Sequence, residues 1–277
     1  MLQGRIRLDL LVVKNQLAVS REKAREYILS GKIYVNGKEE RKCGLKVEET
    51  AEVEMCGEVI PYVSRGGLKL EKALKDFNIN LKGLKCLDIG ASTGGFTECM
   101  LTSGAIKVYA IDVGKDQLAD KLKGDKRVVS MESTNVRNLT MEQIGESCDF
   151  ASIDVSFISL DKVIPHVIPL LKDVGEVVAL IKPQFEAGRG KVSKKGVVRD
   201  SKIHEEVILN VVTFLKESHI NILNLTYSGI KGPNGNIEYL INFTKDFNRI
   251  GNFNSNSIGN IVKNAHEKLT VEDIWRV

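Results

Sequence analysis

The hydrophobic and polar positions of this chain fall into two regimes. Up to about Ile60 the apolar runs are short and broken by charge; beyond it, strand-like runs alternate with helical patterns. Over Arg5–Asn15 the apolar residues Ile6, Leu8, Leu10, Leu11, Val12 and Val13 allow either a short helix after Asp9 or a strand. Ser20 is a good N-cap for a helix over Arg21–Ser30, with Ala24 and Ile28 on one face, Arg21 and Arg25 on another, and Gly31 as its stop. Ile33-Tyr34-Val35 predicts a strand running into an Asn36-Gly37 hairpin turn. Pro61–Ser64 predicts a linker, and the chain then enters an amphipathic helix through Phe77.

In the second regime, strands are predicted at Leu84–Ile89, Ile106–Ile111, Val128–Ser130, Cys148–Val155, Val174–Ile181, Ile220–Tyr227 and Ile237–Thr244. Helical patterns cover Phe96–Leu101 and Ser201–Glu217, and an Asn-rich loop after Lys245 precedes a C-terminal helix over Ile258–Trp275. Alternating strands and helices imply an α/β fold with a mostly parallel sheet covered on both faces. The expected division is 1–60, a linker at 61–64, a main domain over 65–245 and a C-terminal loop and helix over 246–277.

Charge changes the picture locally. The net charge is only +4, but Met1–Lys46 holds 11 Lys or Arg against 5 Asp or Glu, while Val47–Glu58 holds acids only. A basic face beside an acidic edge suits a polyanion such as nucleic acid. The five cysteines are scattered without a C-x-x-C pair, and the four histidines lack metal-ligand spacing, so reduced thiols and no metal are expected. No apolar run is long enough to span a bilayer and the N-terminus carries no signal pattern, which points to a cytoplasmic protein.

The chemistry centres on the turn after the first strand of the main domain. Gly90, Ala91, Ser92, Thr93, Gly94 and Gly95 are all small, follow Asp88 near the strand end, and lead into a helix at Phe96. A strand, a small-residue turn and a helix N-terminus let a ligand approach the main chain closely. Asp112, at the end of the next strand, can accept both hydroxyls of a ribose. A dinucleotide and S-adenosylmethionine would both use that carboxylate. The looser G-x-x-x-G-G spacing favours S-adenosylmethionine, which has no pyrophosphate to cradle. Gly90, Asp112, Asp154 and Lys182 all fall at predicted strand ends, where ligands bind in such sheets. A site holding lysines and carboxylates can activate a ribose hydroxyl, provided burial or a neighbouring ammonium lowers a lysine from its ordinary pKa of ~10.4.

Two resemblances sharpen this. The run Ser20–Lys38 resembles the alpha-L RNA-binding module, whose basic helix tracks structured RNA; by that likeness Arg21, Arg25 and Lys32, with Arg65 downstream, are expected to contact RNA. Five motifs in order, Ser64–Leu70, Asp88–Thr97, Asp154–Leu160, Lys182–Gly188 and Gly232–Glu238, closely resemble the TlyA family. These are rRNA ribose 2′-O-methyltransferases with an FtsJ-like catalytic domain, sometimes labelled haemolysins. The resemblance implies a Rossmann-like S-adenosylmethionine-dependent methyltransferase domain behind a small alpha-L domain, cytidine targets in rRNA of the small and large subunits, and ribosomal RNA or subunits as partners. It places a catalytic tetrad at Lys69, Asp154, Lys182 and Glu238, with Lys182 as general base and the others orienting it and the ribose. Cofactor contacts are implied for Gly90–Phe96, Asp88, Asp112 and Asn135. The chain departs from the family pattern at Glu98, where an Asp is usual, and at Lys115-Asp116, which replace a Tyr-Gly pair near the adenosine end. Membrane lysis and RNA binding without catalysis are the competing readings. The first lacks a spanning or strongly apolar amphipathic segment, and the second has no use for all four tetrad residues.

Overall fold

In the computed structural model, residues 4–18, 20–29, 31–55 and 60–271 are described. Ser30, Cys56 to Val59 and the expected continuation of the last helix to Trp275 lie outside them. Two compact units result, one within residues 1–59 and one over Ile60–Val271.

The first unit runs β1 (Arg5–Arg7), α1 (Leu8–Lys14), α2 (Arg21–Leu29), β2 (Ile33–Val35), β3 (Lys38–Glu39), β4 (Lys46–Glu48) and β5 (Val53–Met55). Arg5–Asn15 is therefore strand and helix in succession. β1 pairs antiparallel with β4, and the helix starts at Leu8, before Asp9 rather than after it. Asn36 and Gly37 have φ of 51° and 75°, the two left-handed residues that a tight hairpin between β2 and β3 requires. Leu8, Leu11 and Val12 of α1 bury against Ala24 and Ile28 of α2 and Ile33 of β2.

One charge lies inside this small core. Asp9 is fully buried, and its carboxylate accepts from Arg7 Nη2 at 2.9 Å and from Arg21 Nε at 3.0 Å. The Arg7 hydrogen bonds, followed by those of Arg21, hold it well below the usual carboxylate range, at about 2. Other charges in the unit also answer one another: Arg5 pairs with Glu48 at 3.0 Å, Arg41 with Glu39 at 2.6 Å, and Lys14 with Glu49. Part of the asymmetry that reads as a free basic face is thus spent on internal pairs.

The second unit contains α3 (Gly66–Asp76), β6 (Lys85–Ile89), α4 (Gly95–Thr102), β7 (Lys107–Ile111), α5 (Asp120–Lys123), β8 (Val128–Met131), α6 (Met141–Ile144), β9 (Cys148–Ile153), α7 (Ile164–Val167), β10 (Leu171–Ile181), α8 (Pro183–Glu186), α9 (Ser201–Glu217), β11 (Asn221–Tyr227), β12 (Tyr239–Thr244) and α10 (Ile258–Val271). Its sheet has the order β11-β12-β10-β9-β6-β7-β8. The pairings among β6, β7, β8, β9 and β10 are parallel, and β12 alone runs against its neighbours β10 and β11.

The inner strands β6, β7, β9, β10 and β12 are buried on both faces over most of their length, so they read as largely continuous apolar runs, whereas the edge strands β8 and β11 are mostly half-buried. Alternate residues feed two cores. Leu87, Ile89, Ala151, Ile153, Val177 and Ala179 pack with α7, α9 and α10, whereas Cys86, Phe150, Val178 and Leu180 pack with α3 and α4. Burying one such Leu or Ile stabilises by about 1.5–3 kcal/mol relative to exposure. The stretch Pro61–Ser64 is packed into this unit. Tyr62 is buried and donates to Glu71 at 3.0 Å, Val63 N–H donates to Glu98 at 2.6 Å, and a Cβ on Gly67 would overlap the Tyr62 ring.

Candidate active site

Four adjacent parallel strands end on the residues singled out by the sequence. Lys182 follows Ile181 of β10, Asp154 follows Ile153 of β9, Gly90 follows Ile89 of β6, and Asp112 follows Ile111 of β7. Because these strands are neighbours in that order, the four residues lie in a row along the carboxyl edge of the sheet.

At one end of the row are two ion pairs. Lys182 Nζ lies 2.6 Å from Asp154 Oδ1, with side-chain exposures of 10% and 19%. Lys69 Nζ lies 2.6 Å from Glu238 Oε2, with exposures of 8% and 0%. Each partner has a clear structural origin. Lys69 is on the first turn of α3 and is buried, where a lysine is ordinarily solvated. Glu238 precedes β12, whose Tyr239 pairs with Ile181, so the antiparallel register brings Glu238 level with Lys182. The backbone of Gly232 runs so close to Glu238 that a Cβ there would overlap its carboxylate.

Two side chains that sequence reading left without a role support these pairs, one each. Gln184 Nε2 donates to Glu238 Oε1 at 3.2 Å, and Lys182 Nζ donates to Ser156 Oγ at 3.1 Å. Glu238 therefore has both oxygens occupied by protein and sits sealed from solvent, as an anchor. Gln184 is two residues from Lys182 and Ser156 two from Asp154, so proximity to the tetrad was the available signal. A third unassigned residue is Phe157. It is 90% exposed, holds φ 63°, and its ring centroid is 4.8 Å from that of Phe185. The Lys182 ammonium lies 5.7 Å from the Phe185 ring centre. A bulky residue at positive φ is strained, and such strain concentrates at functional sites.

The other end of the row is the small-residue turn. Gly90 and Gly94 have φ of 88° and 95°, and Ser92 has 48°. A Cβ on Gly90 would overlap the carbonyl oxygen of Asp154, and one on Gly94 would overlap Leu122. A Cβ on Gly95 would overlap Ser64, while Phe96 is buried beneath the turn. The turn does not offer a row of free N–H groups. Gly90 and Ala91 donate to Ile111 O at 2.9 and 3.1 Å, Gly94 donates to Ala91 O at 2.8 Å, and Ser92 donates to Asp112 Oδ2 at 2.8 Å. Ser92 and Thr93 remain exposed at its tip. What it presents is close backbone approach beside a carboxylate, which suits an uncharged nucleoside better than a pyrophosphate.

Asp112 is half-buried and also accepts from Gly114 N–H at 2.7 Å. Asn135 belongs to the same neighbourhood, since Thr134 N–H donates to Asp112 O at 2.8 Å. Its Oδ1 accepts from Arg137 N–H at 3.0 Å, capping a short turn. Asp88 departs from expectation. It is fully buried, accepting from Thr97 Oγ1 at 2.6 Å and Ser152 Oγ at 3.0 Å, so it braces the turn from below and shows no surface to a ligand. Burial pushes its carboxyl up to about 7. The unusual Glu98 is used internally, by Val63 N–H and by Lys121 at 2.5 Å. Asp116 has φ 56°, a conformation in which a glycine would be unstrained.

The basic residues of the first unit are less uniform than their spacing suggests. Arg21 and Arg25 are exposed on α2, but Arg21 is committed through Nε to buried Asp9. Lys32 lies over the Tyr27 ring, 5.8 Å from its centre, with Lys23 at 5.3 Å from the same ring. Arg65 is exposed at the N-terminus of α3. Among the described residues no group of three or more His, Cys, Asp or Glu could hold a metal, and no helix is long and apolar enough to cross a membrane.

Comparison with known proteins agrees with this layout. The FtsJ-like methyltransferase profile matches residues 62–245, and the S4 domain profile matches residues 6–53. YqxC of Bacillus subtilis (strain 168) is 47% identical over 236 residues, covering 85% of this chain and 84% of its own. The 16S/23S rRNA (cytidine-2′-O)-methyltransferase TlyA of Mycobacterium tuberculosis (strain ATCC 25618 / H37Rv) is 41% identical over 238 residues, 86% of this chain and 89% of its own. A solved Streptococcus thermophilus structure carrying the hemolysin label superposes with a TM-score of 0.76 at 43% identity, covering 96% of this chain and 97% of that one. With both domain profiles matched and relatives 41–47% identical over 85–86% of its length, the chain belongs to the TlyA/YqxC-like family of FtsJ-like methyltransferases with an N-terminal S4 domain.

Proposed function

We propose that this chain transfers a methyl group from S-adenosylmethionine to the ribose 2′-hydroxyl of a cytidine in ribosomal RNA, in the small subunit, the large subunit or both. The observation that carries the proposal is the two ion pairs, Lys182 with half-buried Asp154 and buried Lys69 with Glu238, set beside the small-residue turn at the carboxyl edge of one sheet. The same edge fits the cofactor: a turn that tolerates no side chain at Gly90 or Gly94 leads directly to the Asp112 carboxylate. The Gly90–Gly95 turn would take the methionine portion, Asp112 the ribose hydroxyls, and the segment bearing Asn135 the adenine side, with Asp88 and Phe96 supporting from beneath.

Bound S-adenosylmethionine would supply a methyl made electrophilic by its sulfonium. The protein's task is then alignment and one proton. Lys182 lies at the carboxyl edge of the sheet with its Nζ placed by Asp154 and Ser156; acting as the neutral amine, having released its own proton, it would take the hydroxyl proton as the oxygen acquires its methyl. Lys69, fixed by Glu238, supplies a second cation that orients the ribose. Holding nucleophile and acceptor in line can lower the barrier by several kcal/mol without further chemistry. Exposed Phe157 and half-buried Phe185 form an aromatic pair beside Lys182, suited to stacking the base of the nucleotide whose ribose is modified. Arg25, Lys32, Arg65 and the outer nitrogens of Arg21 would contact RNA phosphates, and the protein would work in the cytoplasm, where ribosomes are made.

The test is methyl transfer from labelled S-adenosylmethionine to purified ribosomal subunits and to stripped rRNA, with Lys182→Ala alongside. Label on a ribose 2′-oxygen, lost in the variant while cofactor binding persists, is the expected result. Turnover of the variant within a few-fold of wild type would remove Lys182 as the base.

A further inference from the structure

After Lys182 the chain forms α8 and then crosses the same edge of the sheet before α9. This crossing, residues 188–199, carries Arg189, Lys191, Lys194, Lys195 and Arg199 and no acidic residue. Within it, Ser193-Lys194-Lys195-Gly196-Val197 closes into a tight turn. Ser193 N–H donates to Val197 O at 3.2 Å, Gly196 N–H to Ser193 O at 2.9 Å, and Val197 N–H to Ser193 Oγ at 3.2 Å. Gly196, at φ 73°, permits the reversal. Lys194 and Lys195 stand exposed at the tip, and among the described residues neither forms an ion pair. Lys191, just before the turn, is by contrast paired with Glu206.

The base of this turn is tied to the catalytic segment. Asn236, two residues before Glu238 and only 3% exposed, donates from Nδ2 to Gly196 O at 2.9 Å and accepts from Val198 N–H at 3.3 Å. Val197 and Val198 are buried beneath, and the Val198 carbonyl lies 3.0 Å from Nε2 of buried His204. A surface loop is ordinarily the least constrained part of a fold. This one is anchored to buried groups through Gly196 and Val198, while among the described residues its two cations have no ion-pair partner.

We infer that the Lys194–Lys195 turn is a second RNA-contacting element, which grips phosphates flanking the target nucleotide and sets them against the active site. The inference rests on the rRNA methyltransferase reading. Two adjacent ammonium groups on a rigid turn suit the closely spaced phosphates of a nucleic-acid strand, and anchoring through Asn236 places that grip in register with Glu238. An acidic protein surface would satisfy the charge but gives no reason for the tie to the catalytic segment.

Binding of the full-length protein to stripped rRNA and to subunits, measured against salt concentration, tests this with Lys194→Ala/Lys195→Ala. Losing two phosphate contacts should reduce the slope of log affinity against log salt by about 1.4–1.8. The KM for rRNA should rise roughly tenfold at moderate salt, with kcat unchanged and with Lys194→Arg/Lys195→Arg behaving as wild type. An unchanged slope overturns the inference. A loss confined to subunits, with stripped rRNA unaffected, also overturns it and assigns the turn to a ribosomal protein. A wild-type protein that binds rRNA but transfers no methyl group sinks the methyltransferase reading, and the binding slope then judges the turn alone.

Discussion

Replacing Lys69 by Met keeps the aliphatic stem and removes only the charge that faces Glu238. In the native protein Glu238 has no exposed surface, with Lys69 on one oxygen at 2.6 Å and Gln184 on the other at 3.2 Å. Breaking a buried pair by removing one partner costs about 3–5 kcal/mol. An independent route gives the same size. If the orphaned carboxylate takes up a proton instead, the cost at about pH 7.5 is roughly 1.36 × (7.5 − 4.3), or about 4 kcal/mol, from the ordinary glutamate pKa. By the second route the folded variant binds a proton that the unfolded chain releases, so its stability falls as pH rises and recovers as pH falls. At about pH 5.5 the deficit should shrink to roughly 1.6 kcal/mol. Urea unfolding of wild type and Lys69→Met at both pH values measures this, and a deficit of about 4 kcal/mol should also lower Tm by roughly 8–16 °C. The double variant Lys69→Met/Glu238→Gln should regain most of the stability while remaining inactive. A single variant within about 1 kcal/mol of wild type at the higher pH would refute the view that Glu238 depends on Lys69. A deficit equal at both pH values would refute proton uptake as its source.

Two further outcomes test other parts of the structure. Asp9 in the first unit titrates at about 2, below its unfolded value, so the stability it confers is present above the unfolded pKa and is lost as pH falls toward 2. Arg21→Ala should remove about 1–2 kcal/mol of that contribution, allowing for screening at the half-exposed guanidinium, and acid unfolding of the S4 unit followed by circular dichroism should then begin at higher pH. A variant with weakened RNA binding but an unchanged acid transition would show that Arg21 serves RNA alone. Phe157→Ala should change stability by no more than about 0.5 kcal/mol, since the ring is exposed, yet cut methylation roughly 5- to 100-fold if a base stacks there. Full activity in that variant would leave the aromatic pair without a substrate role.

Much of this was legible because local chemistry and periodicity agree. The small-residue turn could be read from Gly90–Gly95, since only residues without bulk let backbone pass so near Asp154 and Leu122. The strand ends at Asp112, Asp154 and Lys182 could be read because the parallel strands are buried on both faces and stop where charge begins. The Asn36-Gly37 hairpin and the α9 helix, Ser201–Glu217, were equally plain, since left-handed turn residues and amphipathic spacing are local properties.

Tertiary structure decided which charges meet. Nothing local tells that Lys69 is buried rather than solvated, because its partner Glu238 is 169 residues away and arrives through the reversed register of β12 on β10. The same holds for Asp9, which reads as the residue before a short helix and proves to be the buried hub of Arg7 and Arg21. Asp88 reads as a ligand contact and proves to be sealed by Thr97 and Ser152. The roles of Gln184, Ser156 and Asn236 exist only across elements. Sequence determined the elements, the turn and the residue types gathered at the edge of the sheet, because backbone preferences and hydrophobic periods act over a few residues. Whether each charge is paired, buried or left free depends on contacts between distant segments, and only the assembled fold determines those.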